Sequence, residues 1–266
     1  MMEIKVFATD MDGTFLNSQN DYDRAFFKAT FDKLIKDGKK FVAISGNQYY
    51  QIKGFFEEVA DHMTIVGENG AFIVDQGELL QTSPIEMEVV EKVIAYLDRN
   101  DLSPESVVCG EQAAYILKTA SQENKDYFGT YYTKMVEVDS FQDLPEDVIL
   151  KFSFNTPLDT TEEIIDMLNQ TLSDQVIAVA TGHGNVDVMR KGINKGSAMR
   201  FLLDRWGLEA NQLMAFGDSD NDLEMLALTE HSYAMMNAND KVKKQATFLT
   251  SSNDDNGVLV AINKML

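Results

Sequence analysis

The chain alternates short apolar runs with segments whose apolar residues recur at helical spacing. Residues 4–8 carry Ile4, Val6, Phe7 and Ala8, which is the length of a buried strand, and the polar stretch 17–23 reads as a loop. Over 21–37, Phe26, Phe27, Phe31, Leu34 and Ile35 repeat at helical spacing, and Gly38 supplies a stop. Residues 41–44 predict a second buried strand, a helix follows through Ile52, Phe55, Phe56 and Val59, and residues 64–66 predict a third strand. Phe72 to Val74, then Asp75-Gln76-Gly77, then Leu79 and Leu80 predict a β-hairpin.

The texture changes at Ser83-Pro84-Ile85-Glu86. Ser at N-cap, Pro at N1 and Glu at N3 predict a capping box ahead of Val89, Val90, Val93, Ile94 and Leu97. Short strands are predicted at 107–109, 114–116, 150–154 and 176–179, and a second capping-box helix at Thr160 with Glu163 at N3. The earlier alternation then resumes. It gives a strand at 186–189, a helix over 195–206 stopped by Gly207, a buried strand at 213–216, a short helix at 223–228, and strands at 233–235 and 248–250.

Alternating strands and helices predict a parallel sheet with helices on both faces, and the mixed middle predicts an α+β unit. The expected fold is α/β: a Rossmann-like parallel-sheet core from residues 1–82 and 188–266, interrupted by an inserted α+β cap domain over 83–187.

Composition narrows the partners. Asp plus Glu number 43 against 23 Lys plus Arg, a formal net charge of −20. That argues against nucleic acid, whose phosphates are bound by basic patches. Most of the charge serves solubility, and a minority of the carboxylates are candidates to hold a divalent cation. Cys109 is the only cysteine, so no intrachain disulfide forms and a reducing, cytoplasmic compartment is expected. No basic segment followed by an apolar core opens the chain, and no apolar run approaches the ~20 residues that span a bilayer, so neither a signal peptide nor a membrane partner is expected.

The candidate chemistry lies at strand ends. Asp10-Met11-Asp12-Gly13-Thr14 follows the first strand; alone it reads as a polar strand end with a glycine turn. Ser45 follows the second strand, and Asp218 and Asp222 follow the strand at 213–216. If these strands are neighbours, all of these groups meet outside the carboxyl ends of one sheet, where open α/β sheets bind ligands. A core has no use for clustered carboxylates, because repulsion and desolvation both oppose them. A Mg²⁺ ion removes that difficulty, and phosphoryl groups are its usual substrates. In such a site one carboxylate can attack phosphorus and a second can carry the leaving-group proton. A serine hydroxyl and a backbone amide can hold phosphoryl oxygens, and a lysine can neutralise them. The lysine candidate is Lys195, at a helix start whose N–H groups also favour an anion.

Asp10-Met11-Asp12-Gly13-Thr14, Ile44-Ser45-Gly46-Asn47, Lys195-Gly196 and Gly217-Asp218-Ser219-Asp220-Asn221-Asp222 resemble, in this order, the four motifs of the haloacid dehalogenase superfamily of phosphohydrolases. Gly67-Glu68-Asn69-Gly70-Ala71 is similar to its Cof-type branch, whose members insert an α/β (type IIB) cap into the core. The resemblance implies a Mg²⁺-dependent phosphatase. Asp10 is then nucleophile and metal ligand, Asp12 acid/base with its carbonyl on the metal, and Asp218 a metal ligand. Ser45 and Lys195 hold the phosphoryl group together with Gly13 and Gly46, while Asn221 and Asp222 orient this shell or the phosphate. Many relatives carry Arg where this chain has Asn47, which leaves position 47 without an implied role. Ser45-Gly46-Asn47-Gln48-Tyr49-Tyr50 and Gly182-His183-Gly184-Asn185 are similar to bacterial sugar phosphatases, so a sugar phosphate is the expected substrate and His183 a candidate contact or a loop residue.

Other residues read as structural. His62 and His231 fall at helix–strand junctions, Asp220 reads as a helix N-cap, Trp206 as helix packing and the methionines as core filler. Of Tyr49 and Tyr50, one is expected in the core; Asn69 reads as a turn residue or a site residue. Two other functions fit the same chemistry. One is a phosphosugar mutase, which returns its phosphate to a sugar. The other is a non-catalytic phospho-acceptor module, which lacks a counterpart of Asp12 and of the inserted domain.

Overall fold

The computed structural model describes residues 3–172, 174–182 and 184–266. The chain opens with strand β1 (Val6–Thr9), helix α1 (Arg24–Lys36), strand β2 (Lys40–Ile44), the short helix α2 (Tyr49–Phe55) and strand β3 (Thr64–Gly67). Asp23 caps α1 by accepting from the Phe26 amide, so the helix begins three residues later than its apolar spacing suggests. Strands β4 (Phe72–Asp75) and β5 (Glu78–Thr82) form the expected hairpin. Its turn needs positive φ at both central residues, which Gln76 (51°) and Gly77 (81°) adopt.

Helix α3 (Met87–Arg99), strands β6 (Ser106–Gly110) and β7 (Ala114–Leu117), helix α4 (Gln122–Gly129), strands β8 (Met135–Val138) and β9 (Ile149–Asn155), helix α5 (Thr161–Thr171), and strands β10 (Val176–Gly182) and β11 (Asn185–Arg190) make up the middle. The chain closes with helix α6 (Lys195–Trp206), strand β12 (Leu213–Gly217), the single turn α7 (Leu223–Leu226), strand β13 (His231–Ala234), helix α8 (Asp240–Gln245), strand β14 (Phe248–Leu249) and helix α9 (Gly257–Asn263).

The chain divides into two compact units, Met1–Leu80 with Asn194–Leu266, and Gln81–Ile193. The first holds an eight-stranded sheet in the order β14-β13-β12-β1-β2-β3-β4-β5. From β14 to β3 all neighbours are parallel, and β4 pairs with β3 antiparallel. Thr9 lies opposite both Ala43 and Phe216, so β1, β2 and β12 end at one edge. One end of the core is an aromatic cluster in which Phe27 packs against Phe15, Tyr22, Phe31, Phe41 and Phe56 with centroids 5.2–5.5 Å apart. The indole of Trp206 donates to Asp75 at 3.2 Å, and the Lys40 ammonium sits 4.6 Å above its ring.

The second unit holds a six-stranded sheet, β10-β11-β9-β6-β7-β8, antiparallel except between β7 and β8. Val89, Val93, Leu97 and Leu168 of α3 and α5 pack on Val108, Phe152, Phe154, Val186 and Val188 of one face. Phe128 and Tyr132 pack on Val107, Cys109 and Ile116 of the other. That second face also buries an ion pair, Lys151 to Asp187 at 3.3 Å.

Several expectations are corrected. The strand over 186–189 pairs with β9 and β10, so it belongs to the inserted unit; the unit runs to Ile193 rather than 187 and starts at Gln81 rather than 83. Ser83 does not cap α3. Ile85 is buried and its amide donates to the Ile149 carbonyl, which holds 83–86 extended until Glu86 becomes the N-cap. Thr160 precedes α5 but its hydroxyl donates to the Pro157 carbonyl, so no capping box forms there either. Helices α4, α8 and α9 and strand β8 were not expected from the spacing. No helix among the described residues is long and apolar enough to cross a membrane.

Phe27→Ala should lower the stability of the core by about 3–5 kcal/mol, the usual cost of deleting a buried ring, read as a drop in the urea midpoint of its unfolding transition.

Candidate active site

Strand β1 delivers Asp10 to the edge of the sheet, where its amide donates to the Phe216 carbonyl at 3.1 Å. Helix α6 delivers Lys195. Asn194 caps that helix by accepting from the Ser197 amide at 2.8 Å, and Ser197 returns the contact to Asn194 in a full capping box. The cap fixes Lys195 as the first helical residue and aims it inward. Its ammonium is fully buried and donates to Asp10 Oδ1 at 2.5 Å and to Asp222 Oδ1 at 2.7 Å.

Asp222 is also fully buried, and its second oxygen accepts from the amides of Asp218 and Ser219 at 2.9 and 3.0 Å. Both of its oxygens are thus committed to nitrogen donors. Asp218 accepts from the Thr14 hydroxyl at 2.8 Å. The segment after β12 can wrap this tightly because position 217 is glycine; a Cβ there would fall 2.5 Å from the Asp222 side chain. Gly13, at φ 74°, gives Asp218 the same room, since a Cβ would come 2.7 Å from its Oδ2.

Ligand oxygens of Asp10, Asp218 and Asp222 lie within 4.8 Å of one another. One ammonium faces three carboxylates, so two negative charges stay uncompensated in a mostly buried place. Burial raises the Asp10 carboxyl well above its ordinary value; Lys195 opposes this, and Asp222 and Asp218 add to it. Burial and the Asp222 charge likewise push Asp218 up, against the Thr14 hydrogen bond. Burial pulls Lys195 down, but Asp10 and Asp222 outweigh it and hold the ammonium protonated. The deficit is the charge that a divalent cation carries. Among the described residues, Lys195 takes only Oδ1 of Asp10 and Asp218 accepts only from the Thr14 and Ser219 hydroxyls, whereas both oxygens of Asp222 take nitrogen donors, so the donor set fits Mg²⁺ with Asp10 and Asp218 as the better-placed side-chain ligands.

Asp12 stands apart from this cluster. It opens to solvent, and its Oδ2 accepts from the Asn47 amide at 2.7 Å. Desolvation by its surroundings raises its carboxyl, while Asn47, Lys195 and Ser45 favour the ionised form. Ser45 is buried at the end of β2, and its hydroxyl accepts from the Asn47 amide nitrogen at 3.1 Å. Asn69, in a left-handed turn at φ 54°, accepts from Asn221 at 3.0 Å and donates its backbone amide to the Ser45 carbonyl.

Asp10, Asp12, Gly13, Ser45, Gly46, Lys195, Asn221, Asp218 and Asp222 therefore come together at one edge. His183 lies outside the described residues. His231 starts β13 and His62 precedes β3, both at the opposite edge of the sheet. Asp220 is not an N-cap; its carboxylate faces solvent and takes Lys241 at 2.7 Å and Asn239 at 3.1 Å. Tyr49 is the tyrosine packed inward, 5.1 Å from Phe72.

Sequence reasoning missed the braces. Asn237 donates to the Gly13 carbonyl at 2.7 Å, Asn253 to the Leu16 carbonyl at 2.9 Å, and Asp254 accepts from the Ser18 amide. These tie the loop after Asp12 to residues 237–254, and isolated Asn and Asp side chains carry no pattern that betrays it. The cap at Asn194 had a signal, an Asn one residue before the helix.

The profile of the family described as haloacid dehalogenase-like hydrolase matches residues 7–262. A 5-amino-6-(5-phospho-D-ribitylamino)uracil phosphatase of Escherichia coli is 35% identical over 100% of this chain and 97% of its own length. A phosphatase of the same name from Bacillus subtilis is 26% identical over 99% of this chain and 98% of its own. The crystal structure of SMU.1108c from Streptococcus mutans superposes with a TM-score of 0.91 at 35% identity, covering 98% of each chain. With the family's motifs gathered at one sheet edge and a match over nearly the whole length, the chain belongs to the haloacid dehalogenase-like hydrolases, as a phosphoric monoester hydrolase of the Cof-type branch.

Proposed function

We propose that the chain hydrolyses phosphomonoesters of small polyhydroxylated metabolites in the cytoplasm, with Asp10 as nucleophile, Asp12 as acid/base and Mg²⁺ as cofactor. The observation that supports the reading is the different setting of two carboxylates two residues apart. Asp10 is buried against Lys195, and Asp12 is held separately by Asn47.

The Asp10 carboxylate attacks phosphorus and the bond to the leaving oxygen breaks, with Asp12 giving that oxygen its proton. Asp12 then takes a proton from water as the water oxygen attacks phosphorus and the aspartyl bond breaks. Lys195, Ser45 and the nearby amides of Gly13 and Gly46 hold the phosphoryl oxygens. Mg²⁺, held by Asp10, Asp218 and the Asp12 carbonyl, supplies charge neutralisation when bound. Asp222 and Asn221 act one step back, Asp222 by aiming Lys195 and Asn221 by holding Asn69.

The substrate class is a sugar or sugar-alcohol phosphate. The Escherichia coli relative is named for a phosphoribityl ester, and that ribityl chain is a polyol carrying a phosphate. Choice among such esters is assigned to the inserted unit. The relatives named above are phosphatases, which favours hydrolysis over phosphate return to a sugar.

Release of inorganic phosphate from a panel of hexose, pentose and ribityl phosphates, with no acceptor present, should identify the substrate; phosphate release that needs an acceptor would point to a mutase. Asp10→Asn should abolish turnover, at least 10⁴-fold in kcat, because an amide does not attack phosphorus; near-normal turnover would remove Asp10 from its role.

Mg²⁺ should stabilise the protein at neutral pH by about 2.7 kcal/mol at a concentration 100 times its dissociation constant, seen as a higher melting temperature. Asp218→Asn should erase that rise while the metal-free variant melts higher than metal-free wild type, since one repelling carboxylate is gone. The Asp10, Asp12 and Asp218 carboxyls are all raised above 3.8 in the folded chain, so the native state binds protons more tightly than the unfolded one. Their contribution to metal-free stability should therefore fall as pH rises from the ordinary aspartate range through the raised values. Melting curves of wild type and Asp10→Asn across that window should diverge accordingly.

A further inference from the structure

We propose that Asn47 is a positioning residue for proton transfer, holding the Asp12 carboxyl in the orientation from which it protonates the leaving oxygen. The inference rests on the acid/base reading of Asp12 given above.

Asp12 lies past the end of β1 with its residue open to solvent, and its carboxyl is met by side chains from the end of β2. Its Oδ2 accepts from the Asn47 side-chain amide at 2.7 Å, a well-formed hydrogen bond between the segments that follow β1 and β2, where Ser45 also reaches the carboxyl. The donor is itself held. The Asn47 amide nitrogen donates to Ser45 Oγ at 3.1 Å, and its carbonyl accepts from the Glu68 amide at 3.0 Å. Glycine at 67 permits this approach, since a Cβ there would meet the Asn47 carbonyl oxygen at 3.1 Å and the Tyr49 nitrogen at 2.9 Å. Ser45 is fixed in turn by Val66 and Asn69 through its own amide and carbonyl. Asn47 is thus a donor on a braced turn at the ends of β2 and β3, pointed at the first strand.

A neutral amide on Oδ2, together with the Ser45 hydroxyl, limits how the carboxyl can turn and favours Oδ1 as the oxygen that carries the proton. In the first step that proton moves from Oδ1 to the leaving oxygen as its bond to phosphorus breaks. In the second, Oδ1 receives a proton from the water whose oxygen forms the new bond. Asn47 forms and breaks no covalent bond in either step.

The test reads how much the reaction needs the proton. Substituted phenyl phosphates present one shape with leaving groups of graded acidity, and acidic phenols depart with little help from a general acid. The slope of log kcat/KM against leaving-group pKa should be shallow for wild type and steeper for Asn47→Ala. The most acidic phenol should lose less than about 3-fold and the least acidic about 10-fold or more, a fraction of the 10²–10⁴ that general acid–base catalysis supplies. Retained turnover of the most acidic ester shows that the variant is folded, and Asn47→Gln, which keeps the amide, should recover part of the slope. An equal loss across the series overturns the proposal, because a contact to the phosphoryl group or a general distortion slows all esters alike. Wild type that hydrolyses neither the series nor any sugar phosphate, even with Mg²⁺, overturns the acid/base reading of Asp12 and this inference with it.

Discussion

A buried ammonium holds the site together. Lys195 reaches from the start of α6 to carboxylates on either side, Asp10 after β1 and Asp222 after β12. Breaking such a pair by removing one partner typically costs about 3–5 kcal/mol, because the charge left behind has no water to turn to. The surroundings of the three groups are arranged to avoid that. Two backbone amides take the free oxygen of Asp222, a capping box sets the first turn of α6, and glycine at 217 lets the chain pass close beside the carboxylate. A core optimised for stability alone would place apolar groups here. The excess of negative charge is the feature on which the proposed cation site rests.

The second carboxylate of the first motif has a different environment two residues away. Asp10 directly follows the strand and is sealed by Lys195; Asp12 sits two residues further on, open to solvent and met by Asn47. The chain turns between them at Met11, which is buried, while Gly13 allows the approach of Asp218. The loop beyond is anchored by Asn237, Asn253 and Asp254, so the orientation of the first motif depends on residues from the far end of the sequence.

The parallel core and its edge were legible because β1, β2, β3 and β12 are four- or five-residue runs buried on both faces, each followed by polar residues. Chemistry-bearing residues at those ends had to converge once the strands were neighbours. Other features were hidden by tertiary use of local signals. Ser83 and Glu86 spell a capping box, yet the Ile85 amide serves β9 and delays the helix. Residues 186–189 read as a strand in either sheet, since alternation does not say which partner it finds. Helix α9 starts at Gly257 with no side-chain cap, and β8 is half exposed, so neither carries a strong pattern. The amide of Asn47 was invisible as a contact to Asp12 because no spacing links residues 35 positions apart on neighbouring strands.

Strand β1 lies between β2 and β12, and the second of these partners follows more than two hundred residues later. The inserted unit, in contrast, is one continuous stretch with its own apolar clusters. During synthesis, which proceeds from the N-terminus, the insert is complete before the strand that must flank β1 has emerged. The enclosing sheet waits with an open edge at β1, and closes only when Leu213–Gly217 docks beside it. Asp218 and Asp222 therefore emerge only after Asp10 and the whole of the inserted unit. A chain that stops before β12 then carries Asp10 without Asp218 and without the Asp222 carboxylate that accepts from Lys195.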